Sequence, residues 1–536
     1  MTDYDSYKYS EEEALLRGTR WANEDEIKAA TRMIRLSDPS GKISSGLPVI
    51  SDGNTVYLDD SDAHSLIIGS TGSKKTRLFA MPMLEIMRRA NESVLVTDPK
   101  GELYELTAQA FENSGYKVNV INLRDPVHSN SWNPFAMARA YQRSGEGERA
   151  AGIVNDFAAS VIHDNPLSHQ DPFWTQTARA MLQGLLMTMV EGIPYFPDDT
   201  VNLVTLRHLS DEFSQPDDYD DNKGVMKLLE SYPSTSLALA NLRAVVRGSE
   251  RTFDNIRVSY DAPMQQLYIQ KALIDMLSRQ EVDLQALGRQ KTILYLIMPD
   301  EKTTLHFIVS LIIKQCYEQL IDLAQRSPGK TLPIRVNFLL DEFSNLPMIP
   351  DMPAMISAAR SRNIRFYLII QGLYQLSSKY GADDAQTIKG NCGNWVFLTS
   401  RELPLLNEIS ELCGEDALTG EKLITVSQLQ RLNKERGEAL ILLGRQYPYI
   451  AHLADISEYR LTQAGVRPYP NAPKTRVPAQ TIGKIFSMQQ TAAHAMESKQ
   501  DDMEEDEENY LDIQKELERR FDELFGNADQ KKSGGE

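Results

Sequence analysis

The stretch HSLIIGSTGSKKT, residues His64–Thr76, decides the fold. A short apolar strand (Leu66, Ile67, Ile68) runs into Gly69, Ser70, Thr71, Gly72, Ser73, Lys74, Lys75 and Thr76. This is the phosphate-binding pattern G-x-x-x-x-G-K-[ST] with one departure, because Lys74 stands where the second glycine belongs. In such a loop successive N–H groups wrap phosphates and the following helix N-terminus adds partial positive charge. The pattern assigns Lys75 to the β/γ-phosphates of ATP and the Thr76 hydroxyl to Mg2+. Glycine is favoured before the lysine because the backbone there approaches phosphate closely and takes dihedrals costly for other residues. Lys74 adds a side chain at that point, but its charge favours anions.

A second stretch supplies what such a loop needs opposite it. Pro333–Phe343, PIRVNFLLDEF, is an apolar strand ending in Asp341 and Glu342. Asp341 suits the Mg2+ shell, and Glu342 suits the polarisation of an attacking water. A third runs from Arg360-Ser361-Arg362 through the strand Phe366–Ile370 to Gln371. Open α/β sheets bind ligands at the C-terminal ends of their strands, which makes Gln371 a candidate γ-phosphate sensor or water orienter. Arg360 is a candidate arginine finger offered to a neighbouring subunit.

Strand-like runs near 66–68, 94–97 and 118–121 alternate with helical patterns and then stop. From about Val154 to Gln290 the pattern is helical, with a polar break at Ser214–Lys223. Strands return at 293–298, 336–340, 366–370, 395–399 and 439–443. Two sheet-forming halves around a helical segment predict an α/β fold, a P-loop ATPase sheet with an all-α inserted subdomain. The expected division is an N-terminal segment 1–62, sheet halves 63–153 and 291–465, the insert 154–290, a Pro-rich linker with an acidic run 466–509, and an amphipathic end 510–536.

The linker Arg467–Pro478 (RPYPNAPKTRVP) lacks periodicity. The acidic run, Asp501, Asp502 and Glu504–Glu508, reads as a solvated, disordered, flexible tail. Beyond it Tyr510, Ile513, Leu517, Phe521 and Leu524 fall on one helix face, suited either to a partner groove or coiled coil, or to packing on the chain's own sheet. The last residues, Lys531–Glu536, read as disordered.

Composition narrows the function classes. The 536 residues carry a net charge of −18, so any DNA contact has to come from local basic patches. Arg243, Arg247 and Arg251 in the insert are candidates. Cys316, Cys392 and Cys413 lie far apart and the eight histidines show no ligand spacing, which argues against disulfides and zinc. No run approaches the 18 apolar residues of a membrane span, Met181–Val190 and Leu305–Ile313 being too short. The start, MTDYDSYKYSEEEALLRG, has no signal-peptide pattern. The expected location is cytoplasmic, or peripheral at the inner face of the membrane through a partner.

With these residues assembled, the chain resembles the cytosolic part of type IV secretion coupling proteins, the conjugative DNA-pump ATPases. The resemblance rests on Arg17–Ala22, the loop itself, Val96–Tyr104, Trp132–Phe135, Asp171–Trp174 and the block from Leu339 through Gln371 to Gly390-Asn391-Cys392. It implies a RecA-like motor, a homo-hexameric ring around DNA, with the all-helical part facing the side where DNA enters. The implied cargo is a relaxase-bound single strand, with double-stranded DNA, relaxase and accessory proteins, channel components and a membrane adaptor as further partners. Residue by residue, Lys75, Thr76, Asp341, Glu342, Arg360 and Gln371 match the family's motor groups. The paired N-terminal membrane helices usual in that family are not found in this sequence. Two alternatives stay open: a nucleotide-binding scaffold without turnover, suggested by Lys74, and a motor for protein cargo.

Overall fold

A computed structural model describes residues 18–38, 43–163, 171–214, 224–299, 301, 303–459 and 464–525, apart from the side chains of 214, 492–510, 522, 524 and 525. The chain start up to Arg17, most of the polar break (215–223) and the last residues 526–536 lie outside the described residues. So do the acidic side chains of 501–508.

Among the described residues twelve strands are present: β1 (Arg32–Arg35), β2 (Leu47–Ser51), β3 (Thr55–Asp59), β4 (Ser65–Gly69), β5 (Ser93–Asp98), β6 (Lys117–Asn122), β7 (Thr292–Ile297), β8 (Val336–Leu340), β9 (Ile364–Ile370), β10 (Asn394–Thr399), β11 (Glu438–Leu443) and β12 (Tyr449–His452). Nine form one sheet in the order β12-β11-β10-β4-β9-β8-β5-β7-β6. The seven strands from β10 to β6 run parallel, and β11 and β12 add an antiparallel edge. Continuous apolar strands such as SLIIG and VNFLL are buried along their whole length, as strands covered on both faces must be. Alternation sends Leu66 and Ile68 into one core and Ile67 into the other.

All eight strands expected from the sequence are present. Four others are new: β12, and the small antiparallel sheet of β1, β3 and β2. That small sheet docks through the Ser51 hydroxyl, which donates to Tyr459 Oη at 2.9 Å.

The helical insertion connects β6 to β7. Its helices begin at Ala136–Arg143, earlier than the expected Val154, and end with Ala286–Arg289. Trp132 and Phe135 are buried in the same core as the insert helices, which draws this segment into it. Pro172–Glu191 is the central helix, buried on nearly every side from Met181 to Val190. Arg243, Arg247 and Arg251 are exposed at adjoining helix ends.

Two expectations for the C-terminal region are corrected. The Pro-rich segment is a docked strap rather than a free linker. Tyr469 stacks on Tyr104 (4.4 Å between ring centroids), and Arg467 pairs with Glu112 at 3.1 Å. Farther on, Asn202 donates to the Pro478 carbonyl and the Gln480 N–H donates to Thr205 Oγ1. The acidic run is not a separate tail but the middle of one helix, Ile482–Phe525. No proline interrupts that span, and Ala, Met, Gln, Lys and Glu dominate it, all strong helix formers. Leu511, Ile513, Leu517 and Phe521 are exposed, so this face does not pack on the chain's own sheet. Among the described residues no helix is long and apolar enough to cross a membrane.

Candidate nucleotide site

Because β4, β9 and β8 are parallel neighbours, the loops that follow them meet at one sheet edge. The loop after β4 folds tightly: Ser73 N–H donates to the Ser70 carbonyl at 3.1 Å, and Ser70 N–H to the Thr399 carbonyl at 2.9 Å. Gly69 is required by close approach, since a Cβ there would lie 2.4 Å from Ser73 Oγ. That hydroxyl is buried without a hydrogen-bond partner, a donor that a bound group could satisfy.

The substitution at the loop's second glycine is accommodated in a specific way. Lys74 has φ +66, the left-handed conformation that a glycine there would supply. Holding a non-glycine residue in it costs about 1–2 kcal/mol. The side chain is drawn to Glu435, with Nζ 2.6 Å from its carboxylate, and Lys434 Nζ donates to the Gly72 carbonyl at 3.1 Å. The loop shape is kept and the extra charge is occupied by Glu435.

Lys75 is buried, and its Nζ donates to the carbonyls of Gly69 (2.6 Å) and Ser70 (3.4 Å). Its nearest carboxylate is Glu342, 3.9 Å away. Burial lowers the lysine pKa below its usual value, opposed by the charges of Glu342 and Asp341. This ammonium is held mainly by neutral carbonyls, so an anion would improve its environment. Thr76 opens a π-helical turn, Thr76–Ala80, directly after it.

At the end of β8, Asp341 is 6% exposed and its carboxyl is pushed up from 3.8 to about 7. Burial is the main cause and the Glu342 carboxylate adds to it. A buried acid with few internal donors fits a divalent cation, which would restore its ionised form. Glu342 takes a left-handed backbone (φ +52), as strained residues at working sites often do. Gln371 Nε2 donates to Glu342 Oε2 at 2.7 Å, and Gln371 Oε1 accepts from the Thr71 hydroxyl at 3.3 Å. Thr71, Gln371, Glu342 and Lys75 therefore form one chain of contacts across three strands.

Arg360 is not part of this cluster. It precedes β9 whereas Gln371 follows it, so seven extended residues, about 20 Å, separate the two. Its charge acts instead on His64, at the start of β4. Conversely, Arg401, Arg431 and Lys434 line a cavity of about 810 Å3 with Ser70, Thr71 and Gln371, and sequence reasoning missed all three. Arg401 follows the expected strand 395–399, so the strand-end rule that picked Gln371 could have found it. Asp98, ending β5, was also passed over as a site residue. Burial raises its carboxyl to about 6 although it accepts from the Tyr104 N–H at 2.8 Å.

Residues 20–437 match the family described as Type IV secretory system Conjugative DNA transfer. The chain belongs to this family. Among curated relatives it is similar to the VirD4 protein of Rhizobium rhizogenes, 26% identical over 376 residues, covering 67% of this chain and 50% of that protein. It is also similar to the conjugal transfer protein TraG of Escherichia coli, 24% identical over 443 residues, covering 77% and 66%. The chain spans about half the length of the VirD4 proteins it matches. Among solved structures, the plasmid coupling protein TrwB in complex with the ATP analogue ADPNP aligns with a TM-score of 0.57 at 16% identity, over 87% of this chain and 97% of that one. TrwB in complex with ADP and Mg2+ aligns with a TM-score of 0.56. The fold that this chain shares with TrwB is thus an α/β fold built on one central, mostly parallel sheet.

Proposed function

We propose that this coupling-family chain is a motor that hydrolyses ATP to move a relaxase-bound DNA strand into a type IV secretion channel. The observation that carries the reading is the Thr71–Gln371–Glu342–Lys75 chain beside Asp341, on the fold of a family defined by conjugative DNA transfer. ATP with Mg2+ would supply the phosphoanhydride bond and neutralise its charge.

This chain's residues do the rest. Lys75 would exchange its carbonyl partners for phosphate oxygens, and Thr76 and Asp341 would hold the metal ion. Glu342 orients a water and takes up its proton. Gln371 fixes the Glu342 carboxylate and connects it to Thr71 in the loop. Arg360, at the far sheet edge, serves a neighbouring subunit in a homo-hexamer, so hydrolysis depends on assembly. Double-stranded DNA, relaxase, accessory proteins, channel components and a membrane adaptor complete the proposed partners.

ATP hydrolysis by the purified chain, with and without single- and double-stranded DNA, tests this. Wild type is expected to turn over and to be stimulated by DNA. Lys75→Ala should lose nucleotide binding, whereas Glu342→Gln should bind ATP and hydrolyse it at least 100-fold more slowly, roughly the contribution of a positioned base. Equal turnover in all three would remove the assignment. The second reading, a scaffold that binds nucleotide without turnover, rests on Lys74 and is favoured only if Lys74→Gly hydrolyses ATP and wild type does not.

A further inference from the structure

A cleft of about 590 Å3 lies between the insert and the strap, away from the nucleotide loop. One wall comes from the insert helices Leu203–Ser214 and Lys271–Met276 and carries Arg207 and Lys271. The other is the strap, which contributes Lys474 and Arg476. Asp275 is the one carboxylate in the lining, so the cleft holds four cations against one anion in a chain whose net charge is −18. All four cations are exposed and, among the described residues, none forms an ion pair, although Arg207 lies over the Tyr268 ring at 5.4 Å. Other insert arginines are claimed: Arg139 and Arg143 by Asp198, and Arg149 by Glu146 and Asp322.

The strap wall is fixed before any ligand arrives. Ala472 N–H donates to the Val127 carbonyl at 2.8 Å, and Arg279 Nη1 donates to Thr475 Oγ1 at 3.1 Å. Val477 is buried and the Pro478 carbonyl accepts from Asn202 at 2.8 Å. Lys474 and Arg476 thus project from a segment anchored on both sides of each, which lowers the ordering cost of binding.

We propose that this cleft grips the phosphodiester backbone of the DNA strand being transferred. The inference rests on the coupling-protein reading above and locates one of its DNA contacts. A linear polyanion matches cations without a carboxylate partner on two facing walls, each able to neutralise one phosphate. Among the described residues no aromatic ring lines the cleft, the Tyr268 ring being covered by Arg207, so bases have nothing to stack on there and contact is with the backbone whatever the sequence.

The test measures binding of the full chain to fluorescein-labelled 30-nucleotide oligo-dT and oligo-dA by anisotropy, from 50 to 200 mM KCl. Wild type is expected to bind both alike. Each phosphate contact to a single strand contributes about 0.7 to the slope of log affinity against log salt, roughly fivefold in affinity at 0.1 M. Lys474→Ala/Arg476→Ala and Arg207→Ala/Lys271→Ala should each lose about 25-fold and flatten the slope by about 1.4. Asp275→Asn should tighten binding, and Lys474→Arg/Arg476→Lys should retain it. ATP hydrolysis without DNA should not change in any of them. Wild-type binding with an unaltered slope in both double variants overturns the cleft while leaving the motor reading intact. Absence of DNA binding by wild type overturns both. Unaltered DNA affinity together with lost cross-linking between the cleft and residues 501–508 would assign the cleft to the chain's own acidic segment, and overturns the proposal.

Discussion

Asp341→Asn should make the protein more stable at alkaline pH while removing its hydrolysis. Burial and Glu342 raise the Asp341 carboxyl from its ordinary 3.8 to about 7 in the folded chain. Below about pH 4 the folded and unfolded states both hold this proton. Between about pH 4 and pH 7 the folded state keeps a proton that the unfolded state has lost, so stability falls as pH rises and levels off above about 7. A rise of about three pH units at ~1.4 kcal/mol each sets a ceiling of about 4 kcal/mol on that loss. The attraction of Lys75 is already contained in that raised value, so an amide, which stands in for the protonated acid, should recover most of it, up to about 4 kcal/mol at pH 8. Thermal unfolding followed at pH 5, 6.5 and 8 gives the comparison. The gap between variant and wild type should be small at pH 5 and widen towards pH 8. ATP with Mg2+ should raise the wild-type midpoint and leave that of the variant almost unmoved. Parallel curves for the two proteins across the pH range would refute the claim that a buried, metal-seeking acid sits at the end of β8.

Lys74→Gly should raise stability by about 1 kcal/mol, because it relieves a left-handed non-glycine backbone and loses only an exposed contact to Glu435; chemical denaturation measures it, and a destabilised variant would contradict the strain. Lys314→Met should cost about 3–5 kcal/mol, since Lys314 is buried between Asp156 (2.5 Å), Asp351 (2.9 Å) and Glu318 (3.9 Å) and its removal strands their charges. Burial already holds the Asp156 carboxyl up and that of Glu318 at about 7. Protonating these acids relieves the loss, so the deficit should shrink from pH 8 to pH 5, and a deficit that grew on acidification would point to a packing defect instead.

The sheet was legible because its strands are buried on both faces and read as unbroken apolar runs. Lys75, Asp341, Glu342 and Gln371 were legible for a related reason, as each directly follows such a run. Arg360 stands apart from them, because two groups on opposite ends of one strand cannot share a site within the chain. The small sheet escaped notice because β1 has one buried residue in four and β3 alternates with a half-buried face. Asp52-Gly53 between β2 and β3 was a usable turn signal, and Gly53 takes φ +84 there. Docking of the strap was not legible at all. It depends on where Tyr104, Asn202 and Thr205 stand in space, and proline-rich sequence looks the same whether or not such partners exist.

The nucleotide-loop edge of the sheet also explains where the insert and the strap are attached. β6 runs parallel to β4, so its end at Asn122, where the insertion departs, lies on the edge that carries Lys75 and Asp341. The helix Glu102–Asn113 starts on that edge too, its first turn held by Asp98, and Tyr104 in that turn is what the strap stacks upon. On the other side, the segment after the acidic pair reaches Asp351, which shares Lys314 with Asp156 of the insert helix Gly147–Val161. The groups proposed to handle phosphoanhydride chemistry and those proposed to hold a phosphodiester chain are therefore joined by short, packed connections through one sheet edge. A displacement of Asp98 has the helix Glu102–Asn113 to push on, and the strap that forms one wall of the basic cleft rests on that helix through Tyr104 and Glu112.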